Sequence, residues 1–166
     1  MQANQIAGVL IPSRVFDQQH PGHMAVKFLA PDGEPAVRGF RFTPDELPEE
    51  YQPAEKWREF FKREDGRVPG YIMDEFAFEQ RCTHYSGQVI TRSWPIRVES
   101  VVEDLYPSER RRLGWYSFDP DRFLDCNNCV TWAARTINQA AGEDVLQFPE
   151  NGRVRKMVHL LESIPE

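Results

Sequence analysis

The segment 123–142 constrains the fold of this chain most, because it predicts a long helix late in the sequence with a cysteine in its first turn. Asn127 and Asn128 are residue types that favour helix N-caps, and an alanine-rich run follows them. Gly142 fits a C-terminal stop. Unpaired N–H groups and the positive end of the helix dipole favour a thiolate at Cys129. The segment therefore predicts cysteine chemistry at a helix N-terminus.

The first third of the chain predicts strands. Residues 6–11, 23–29 and 37–42 are rich in β-branched and aromatic residues or alternate between apolar and polar residues. Asp32 and Gly33, between the last two runs, are a strong hairpin signal. We therefore expect an antiparallel sheet to begin here.

The middle of the chain predicts a helix followed by further strands. Residues 54–64 have the spacing of an amphipathic helix. Further strands are indicated at 71–78, 83–91 and 96–102. Shorter helices are indicated at 108–113 and 153–163. This order predicts an α+β fold, with an antiparallel sheet packed against the helix that carries the cysteine at its N-terminus, in a single domain over residues 1–166.

Charge and hydropathy patterning exclude two classes of partner. The chain has 26 acidic and 20 basic residues, and its net charge of −6 gives no general attraction to nucleic acid. No apolar run approaches the roughly 20 residues of a membrane span, and the N-terminus does not resemble a signal peptide. Three cysteines, an odd number, fit a reducing compartment. We expect a cytoplasmic protein as synthesised, with export by a signal-free route as the alternative, and no nucleic acid partner or membrane span.

A cysteine nucleophile needs a base, and imidazole is the usual one because its pKa lies near neutrality. His23 opens an alternating strand after a turn-like segment, so its side chain could project from a sheet edge toward a helix N-terminus. His84 also lies at a predicted strand start. His20 lies in a predicted loop, and His159 lies at a surface position of the last predicted helix. His23 is therefore the first candidate base and His84 the second.

Two short motifs resemble the circularly permuted papain-like hydrolases, a group that includes NlpC-like amidases, lecithin:retinol acyltransferase relatives and PPPDE-type peptidases. They are residues 22–28, which contain His23, and residues 128–133, which contain Cys129. In the permuted order, a strand histidine precedes a cysteine that begins a helix. The resemblance implies a permuted papain-like fold with Cys129 as nucleophile, His23 as general base, and a thioester-forming reaction on an amide or ester. We expect no cofactor.

The resemblance also implies a third polar residue that orients the histidine. His84 is a candidate because it starts a later predicted strand, whereas Asp32 and Glu34 lie in a hairpin turn and are less persuasive. Backbone N–H groups at the helix start, together with Asn128, are expected to stabilise the oxyanion.

The expected substrate is a peptide or another acyl compound. Relatives of this group cut peptidoglycan peptides, isopeptides and lipid esters, which favours an amidase or peptidase over a lipid acyl hydrolase or acyltransferase. Small catalytic domains of this kind also serve as bacterial toxins. By that analogy, a cognate inhibitor protein is an expected partner.

The cysteines also allow other interpretations. Cys82, His84, Cys126 and Cys129 supply three thiols and an imidazole, the ligand set of a tetrahedral zinc site, which would make the chain a zinc-stapled, non-enzymatic binding module. Cys126 and Cys129 at a helix start also fit thiol redox exchange, although a thioredoxin-like unit would carry them near the start of a βαβ pattern. A buried core cysteine is a further interpretation of Cys129. All of these stay open at the level of the sequence.

Overall fold

One seven-stranded sheet forms the centre of the fold in the computed structural model, which describes residues 3–12 and 22–166. The strands are β1 (Gln5–Pro12), β2 (Gly22–Leu29), β3 (Pro35–Arg41), β4 (Val68–Asp74), β5 (Ile90–Pro95), β6 (Arg111–Tyr116) and β7 (Cys126–Asn127). The helices are α1 (Trp57–Phe61), α2 (Phe76–His84), α3 (Glu99–Leu105), α4 (Cys129–Ala141) and α5 (Val154–Glu162). The predicted α+β class is confirmed.

The sheet is mixed, whereas the sequence predicted an antiparallel one. Its strand order is β5-β1-β2-β3-β4-β6-β7, and every neighbouring pair is antiparallel except β6 and β7. The short strand β7 places Cys126 beside Trp115 and Asn127 beside Tyr116 in parallel register. This two-residue strand leads the chain from the sheet directly to the start of α4.

The predicted hairpin between β2 and β3 is confirmed. The two strands pair in antiparallel register, and the Gly33 N–H donates to the Ala30 carbonyl at 2.8 Å within the turn. Gly33 has φ +87°, a left-handed conformation that glycine adopts at little cost. The aspartate-glycine pair therefore forms the turn that its sequence predicted.

Two predicted elements have the opposite secondary structure. Residues 96–102 were expected as a strand, but α3 covers most of them because Val102 and Leu105, three positions apart, are both buried on one helix side and α3 packs against α4. Residues 108–113 were expected as a helix, but they lead into β6, which pairs with β4. In both places tertiary packing outweighs local propensity.

The predicted strands at 71–78 and 83–91 are also partly wrong. Strand β4 ends at Asp74, and α2 follows it up to His84. The helix is held by one large apolar contact, because Phe78 is buried in a small cluster on one sheet face. The other members of that cluster are Val9, Ile11, Ala25 and Val37.

Helix α4 packs against the opposite face of the sheet. It contacts β1, β2 and β3, and five of its side chains that follow helical spacing are buried. These residues are Trp132, Ala133, Thr136, Ile137 and Ala140. The helix ends at Gly142, which has φ 76° and the left-handed conformation expected of a C-terminal cap. In the described part of the chain, no helix is long and apolar enough to cross a membrane.

Candidate active site

Cys129 is the first residue of α4, and Asn128 caps the helix before it. The Asn128 Oδ1 accepts the N–H groups of Val130 at 3.0 Å and Thr131 at 2.9 Å, and the Asn128 carbonyl accepts that of Trp132. The Thr131 hydroxyl in turn accepts the Asn128 N–H at 3.0 Å. These partners satisfy the other N–H groups of the first turn. In the described part of the chain the N–H of Cys129 has no acceptor, so it is available to a ligand.

The thiol lies where β2 and β3 diverge. Their paired residues end at Val26 and Arg38, although both strands continue beyond that pair. The N–H of Met24, in the diverging part of β2, donates a hydrogen bond to the Cys129 sulfur. The sulfur thus has a backbone donor from the sheet as well as the positive end of the α4 dipole beside it.

His23 contacts Cys129 directly. The imidazole and the thiol shift each other's pKa through charge and through side-chain hydrogen bonding, and His23 is buried with 4% of its surface exposed. Its Nε2 lies 2.8 Å from Glu75 Oε1, which leaves Nδ1 for the thiol. The ring of Phe78 meets the imidazole edge-on, with centroids 4.8 Å apart. The structure therefore brings together the two residues that the sequence proposed as nucleophile and base.

Glu75 completes this arrangement, and it follows directly after β4. Its N–H donates to the Val37 carbonyl at 3.0 Å, which holds the residue against β3. The carboxylate then lies on Gly39, where a methyl group would overlap it. Arg41 Nε approaches both Glu75 oxygens, at 2.7 and 3.0 Å. Glu75 is 4% exposed, so a buried carboxylate fixes the orientation of His23.

The pKa shifts favour a thiolate and imidazolium pair. Burial raises the pKa of the Cys129 thiol, but the charge of His23 and its hydrogen bond outweigh burial, and the pKa falls below its ordinary value of 9.0. Burial and Arg41 lower the pKa of His23, but Cys129 and Glu75 outweigh them and raise it above 6.5. Burial likewise raises the pKa of Glu75, and its bonds to His23 and Arg41 more than reverse this. All three groups are therefore favoured in their charged forms.

The pKa values of the other two cysteines are shifted in the opposite direction, upward. Burial raises the pKa of Cys126 to about 12 and that of Cys82 to about 11. Neither thiol has a histidine among the groups that shift its pKa. At neutral pH both are protonated and unreactive, so Cys129 is chemically distinct from them.

The predicted zinc site is not formed. Among the residues that the structure describes, no group of three or more His, Cys, Asp or Glu side chains could hold a metal ion. Cys82 and His84 lie on α2, on one side of the sheet, whereas Cys126 lies in the edge strand β7 and Cys129 on α4. The sheet therefore separates the two pairs of predicted ligands.

His84 does not occupy the third position of the site. It is exposed at the end of α2, with its ring edge against Tyr85 at 4.6 Å. The sequence predicted that His84 begins a strand, but it is the last residue of helix α2. Glu75 makes the contact with His23 instead. His20 lies outside the described residues.

The remaining predicted polar residues have local roles. Asp32 accepts the Glu34 N–H at 3.0 Å within the β2–β3 turn, as turn residues do. The Asn128 Oδ1 is used by the helix cap, and its Nδ2 donates to the Gly152 carbonyl at 2.7 Å. Asn128 therefore positions the start of α4 and the loop beside it through Oδ1 and one of its two Nδ2 hydrogens. It also lines the cleft beside Cys129, and its contribution to an oxyanion site stays a prediction.

Tyr116 is a donor beside the thiol that no sequence pattern indicated. It lies at the end of β6, buried, with its ring stacked on Phe40 at 5.7 Å. Burial, and then the negative charge of Cys129, raise the pKa of Tyr116 well above 10.0. The phenol consequently keeps its proton and can act as a hydrogen-bond donor near Cys129.

A cleft of about 490 Å³ opens beside the thiol. Besides Cys129 and Asn128, its lining combines aromatic and cationic side chains. The aromatic members are Phe61, Tyr116 and Phe118, and the cationic members are Arg58, Lys62, Arg153 and Arg155. The cleft gives Cys129, which is itself 5% exposed, a route to an extended ligand.

Sequence reasoning missed Glu75, Arg41 and Tyr116. The adjacent acidic residues Asp74 and Glu75 interrupt an apolar run, and this break was a usable signal that the strand ends there. Arg41 and Tyr116 carry no such signal, because their roles depend on the approach of β3 and β6 to α4 and not on their neighbours in sequence.

Comparisons of this chain with protein-family models, with curated proteins and with solved structures found no match. What the site can do chemically follows from its own geometry. That geometry is a thiol at a helix N-terminus, a buried imidazole in contact with it, and a buried carboxylate behind the imidazole.

Proposed function

We propose that this protein is a cysteine hydrolase that cleaves an amide or ester bond through a thioester at Cys129. One observation carries the proposal: the buried imidazole of His23 lowers the pKa of the Cys129 thiol, and its Nε2 lies 2.8 Å from a Glu75 oxygen. This is the relation that nucleophile, base and orienting group need in covalent catalysis. The order of a strand histidine before a helix cysteine is similar to that of the permuted papain-like hydrolases.

In the first half of the reaction, the Cys129 thiolate attacks the carbonyl carbon of the substrate. A carbon–sulfur bond forms, and the carbonyl electrons move onto oxygen. The imidazolium of His23 then gives its Nδ1 proton to the leaving nitrogen or oxygen, and the bond from carbon to that atom breaks. The products of this half are a free amine or alcohol, a thioester on Cys129, and neutral His23.

In the second half, water replaces the leaving group. The water oxygen attacks the thioester carbon while His23 takes a proton from the water, and the carbon–sulfur bond breaks. A carboxylic acid leaves, and the thiolate and imidazolium are restored. Glu75 keeps the imidazole oriented throughout, because its carboxylate accepts a hydrogen bond from the Nε2–H group in both halves.

The Cys129 N–H and the Tyr116 hydroxyl are the donors that we assign to the oxyanion. The N–H belongs to the first turn of α4, where Asn128 occupies the other N–H groups. Tyr116 lines the same cleft and stays protonated. In many acyl transfers, fixed donors directed at the developing negative charge lower the barrier more than any other group does.

An amide is a better candidate substrate than an ester. An amine is a poor leaving group unless it receives a proton, and the raised pKa of His23 keeps that proton available at neutral pH. This argument favours an amidase or peptidase over a lipid acyl hydrolase or acyltransferase.

Acetylation by p-nitrophenyl acetate tests the proposal without knowledge of the natural substrate. We expect a burst of nitrophenolate, an acetyl group on Cys129 detected by mass spectrometry, and then continued release beyond one equivalent per protein. Cys129→Ala should abolish the burst and the turnover, and His23→Ala should slow both by at least about a hundredfold, the usual contribution of a general base.

Cys126→Ala and Cys82→Ala are the matched controls, because both thiols have raised pKa values and lie outside the site. Both variants should behave like the wild type. A burst that persists in Cys129→Ala, or acetylation without turnover in the wild type, would rule out the hydrolase.

A further inference from the structure

The cleft beside Cys129 has a charge opposite to that of the whole chain. Four cationic side chains and one acidic side chain, Asp119, line it, whereas acidic residues outnumber basic ones over the full sequence. The cationic side chains are Arg58, Lys62, Arg153 and Arg155, and all four are exposed. A concave surface with one sign of charge concentrates ligands of the opposite sign.

These four cations have no ion-pair partner within 4.0 Å among the described residues. Two nearby acidic residues each have another cation as ion-pair partner, although the charge of Arg153 also helps to lower the pKa of Glu150. Lys156 Nζ lies 2.8 Å from a Glu150 oxygen, and Arg122 Nε lies 3.9 Å from an Asp119 oxygen. Within residues 3–12 and 22–166, most of the positive charge of the cleft is therefore left for a ligand to neutralise.

Two of the cations lie where a helix disfavours them. Arg153 is the N-cap of α5 and Arg155 lies in its first turn, which contains no acidic residue. Positive side chains at a helix N-terminus oppose the dipole, so this placement costs stability unless an anion binds there. A carboxylate at this position would interact with both side chains and with the N–H groups of the first turn.

Building on the proposed function, we propose that the substrate is an acidic peptide whose carboxylates bind the cationic cleft on the way to Cys129. Arginine presents a planar fork of N–H donors that matches a carboxylate, and three of the four cations are arginines. Phe118, which is half-buried in the cleft wall, supplies an apolar contact for the rest of the peptide.

A peptide fits this cleft better than an anionic lipid surface does. None of the large hydrophobic side chains that are exposed in the described part of the chain lines the cleft, so no apolar rim is present to enter a bilayer.

Alkylation of Cys129 by two reagents that differ in charge tests whether the cationic cleft attracts anions to the thiol. We would measure the rate with anionic iodoacetate and with neutral iodoacetamide by mass spectrometry, and take their ratio in each protein, so that a change in thiol reactivity cancels. In Arg58→Gln/Arg155→Gln, we expect the ratio to fall about tenfold from the wild-type value at low salt. The wild-type ratio should also fall as salt is added.

Arg97→Gln/Arg135→Gln is the matched control, because both side chains are exposed and lie outside the cleft lining. It removes the same charge and should leave the ratio within about twofold of the wild type, as distant surface charges are screened. If both double variants change the ratio equally, the cleft has no special role and the inference is lost. Slow labelling by iodoacetamide itself would instead count against the proposed hydrolase.

Peptide binding to the Cys129→Ala protein is independent of thiol chemistry. A fluorescent peptide of alternating glutamate and alanine should bind, and its glutamine counterpart should bind at least about tenfold more weakly. Adding Arg58→Gln/Arg155→Gln should weaken binding of the acidic peptide to the level of the glutamine peptide. Equal binding of the two peptides, or binding to phosphatidylglycerol vesicles with none to the acidic peptide, would overturn the inference.

Discussion

At the scale of single residues, the site depends on charges that are stable only together. His23 and Glu75 are each 4% exposed, and an isolated charge at that depth would carry a large desolvation penalty. The thiolate, the imidazolium, the carboxylate and the Arg41 guanidinium alternate in sign, so each stabilises its neighbour. Removal of one member should therefore change the pKa of the next.

We predict that Glu75→Gln lowers the pKa of His23 by about one unit or more. The raised pKa means that the imidazolium persists above pH 6.5 in the wild type, and Glu75 supports it. Glutamine removes that support and leaves the positive charge of Arg41 uncompensated, so both effects lower the pKa. Imidazole NMR shifts followed as a function of pH, assigned with His23→Gln, measure the change.

Glu79→Gln is the control, since Glu79 lies in the first turn of α2, the helix that Glu75 precedes, but pairs with Lys27 at 3.9 Å. It should leave the His23 titration unchanged. If Glu75→Gln also titrated like the wild type, Glu75 would not act on His23 through charge.

At the scale of elements, close approaches place the site residues. Strand β3 carries Gly39 where the Glu75 carboxylate lies, and Asn128 holds α4 against the loop at Gly152. The divergence of β2 from β3 leaves the Met24 N–H for the Cys129 sulfur. Backbone geometry thus does as much for this site as the choice of side chains.

We predict that Gly39→Ala displaces the Glu75 carboxylate and lowers the rate of p-nitrophenyl acetate turnover by about tenfold or more, as misplacement of a supporting group does. The added methyl group would overlap the carboxylate, so the hydrogen bond to His23 must lengthen or break. Turnover rates, with circular dichroism to monitor the fold, measure the effect.

Gly87→Ala is the matched substitution, because a methyl group there meets no atom within 4 Å. Its turnover should equal that of the wild type. Full activity in Gly39→Ala would mean that Glu75 tolerates displacement and that its position is not needed.

At the scale of the whole molecule, the sheet separates two apolar regions of unequal size. The larger core lies between the sheet and α4, and the smaller cluster lies under α2. One site residue lies at the start of each of these helices: Cys129 is the first residue of α4, and Glu75 directly precedes α2. Packing in the larger core holds α4 against the sheet, and this packing fixes the position of Cys129.

We predict that Ile137→Ala lowers the free energy of unfolding by about 2–5 kcal/mol, because its fully buried side chain leaves a cavity between α4 and the sheet. Leu124→Ala, at a position that is 88% exposed, should change it by less than about 0.5 kcal/mol. Urea unfolding measures both values. Equal effects of the two substitutions would contradict this description of the core.

The sequence by itself determined the elements that local patterns specify. Alternating strands, an aspartate-glycine turn and a capped alanine-rich helix predicted β1 to β3, their hairpin and the extent of α4. Each of these signals acts within a few residues, through side-chain periodicity or through the conformation that one turn requires. The selection of His23 and Cys129 as partners also came from the sequence, through a short resemblance.

Only the tertiary structure decided the third member of the site and the character of the cleft. Glu75, Arg41 and Tyr116 lie on different elements and meet because β3, β4 and β6 are neighbours in the sheet. The cationic lining likewise joins α1 to the start of α5, far apart in the sequence. Such contacts form when buried area is maximised over the whole chain, so no local pattern in the sequence encodes them.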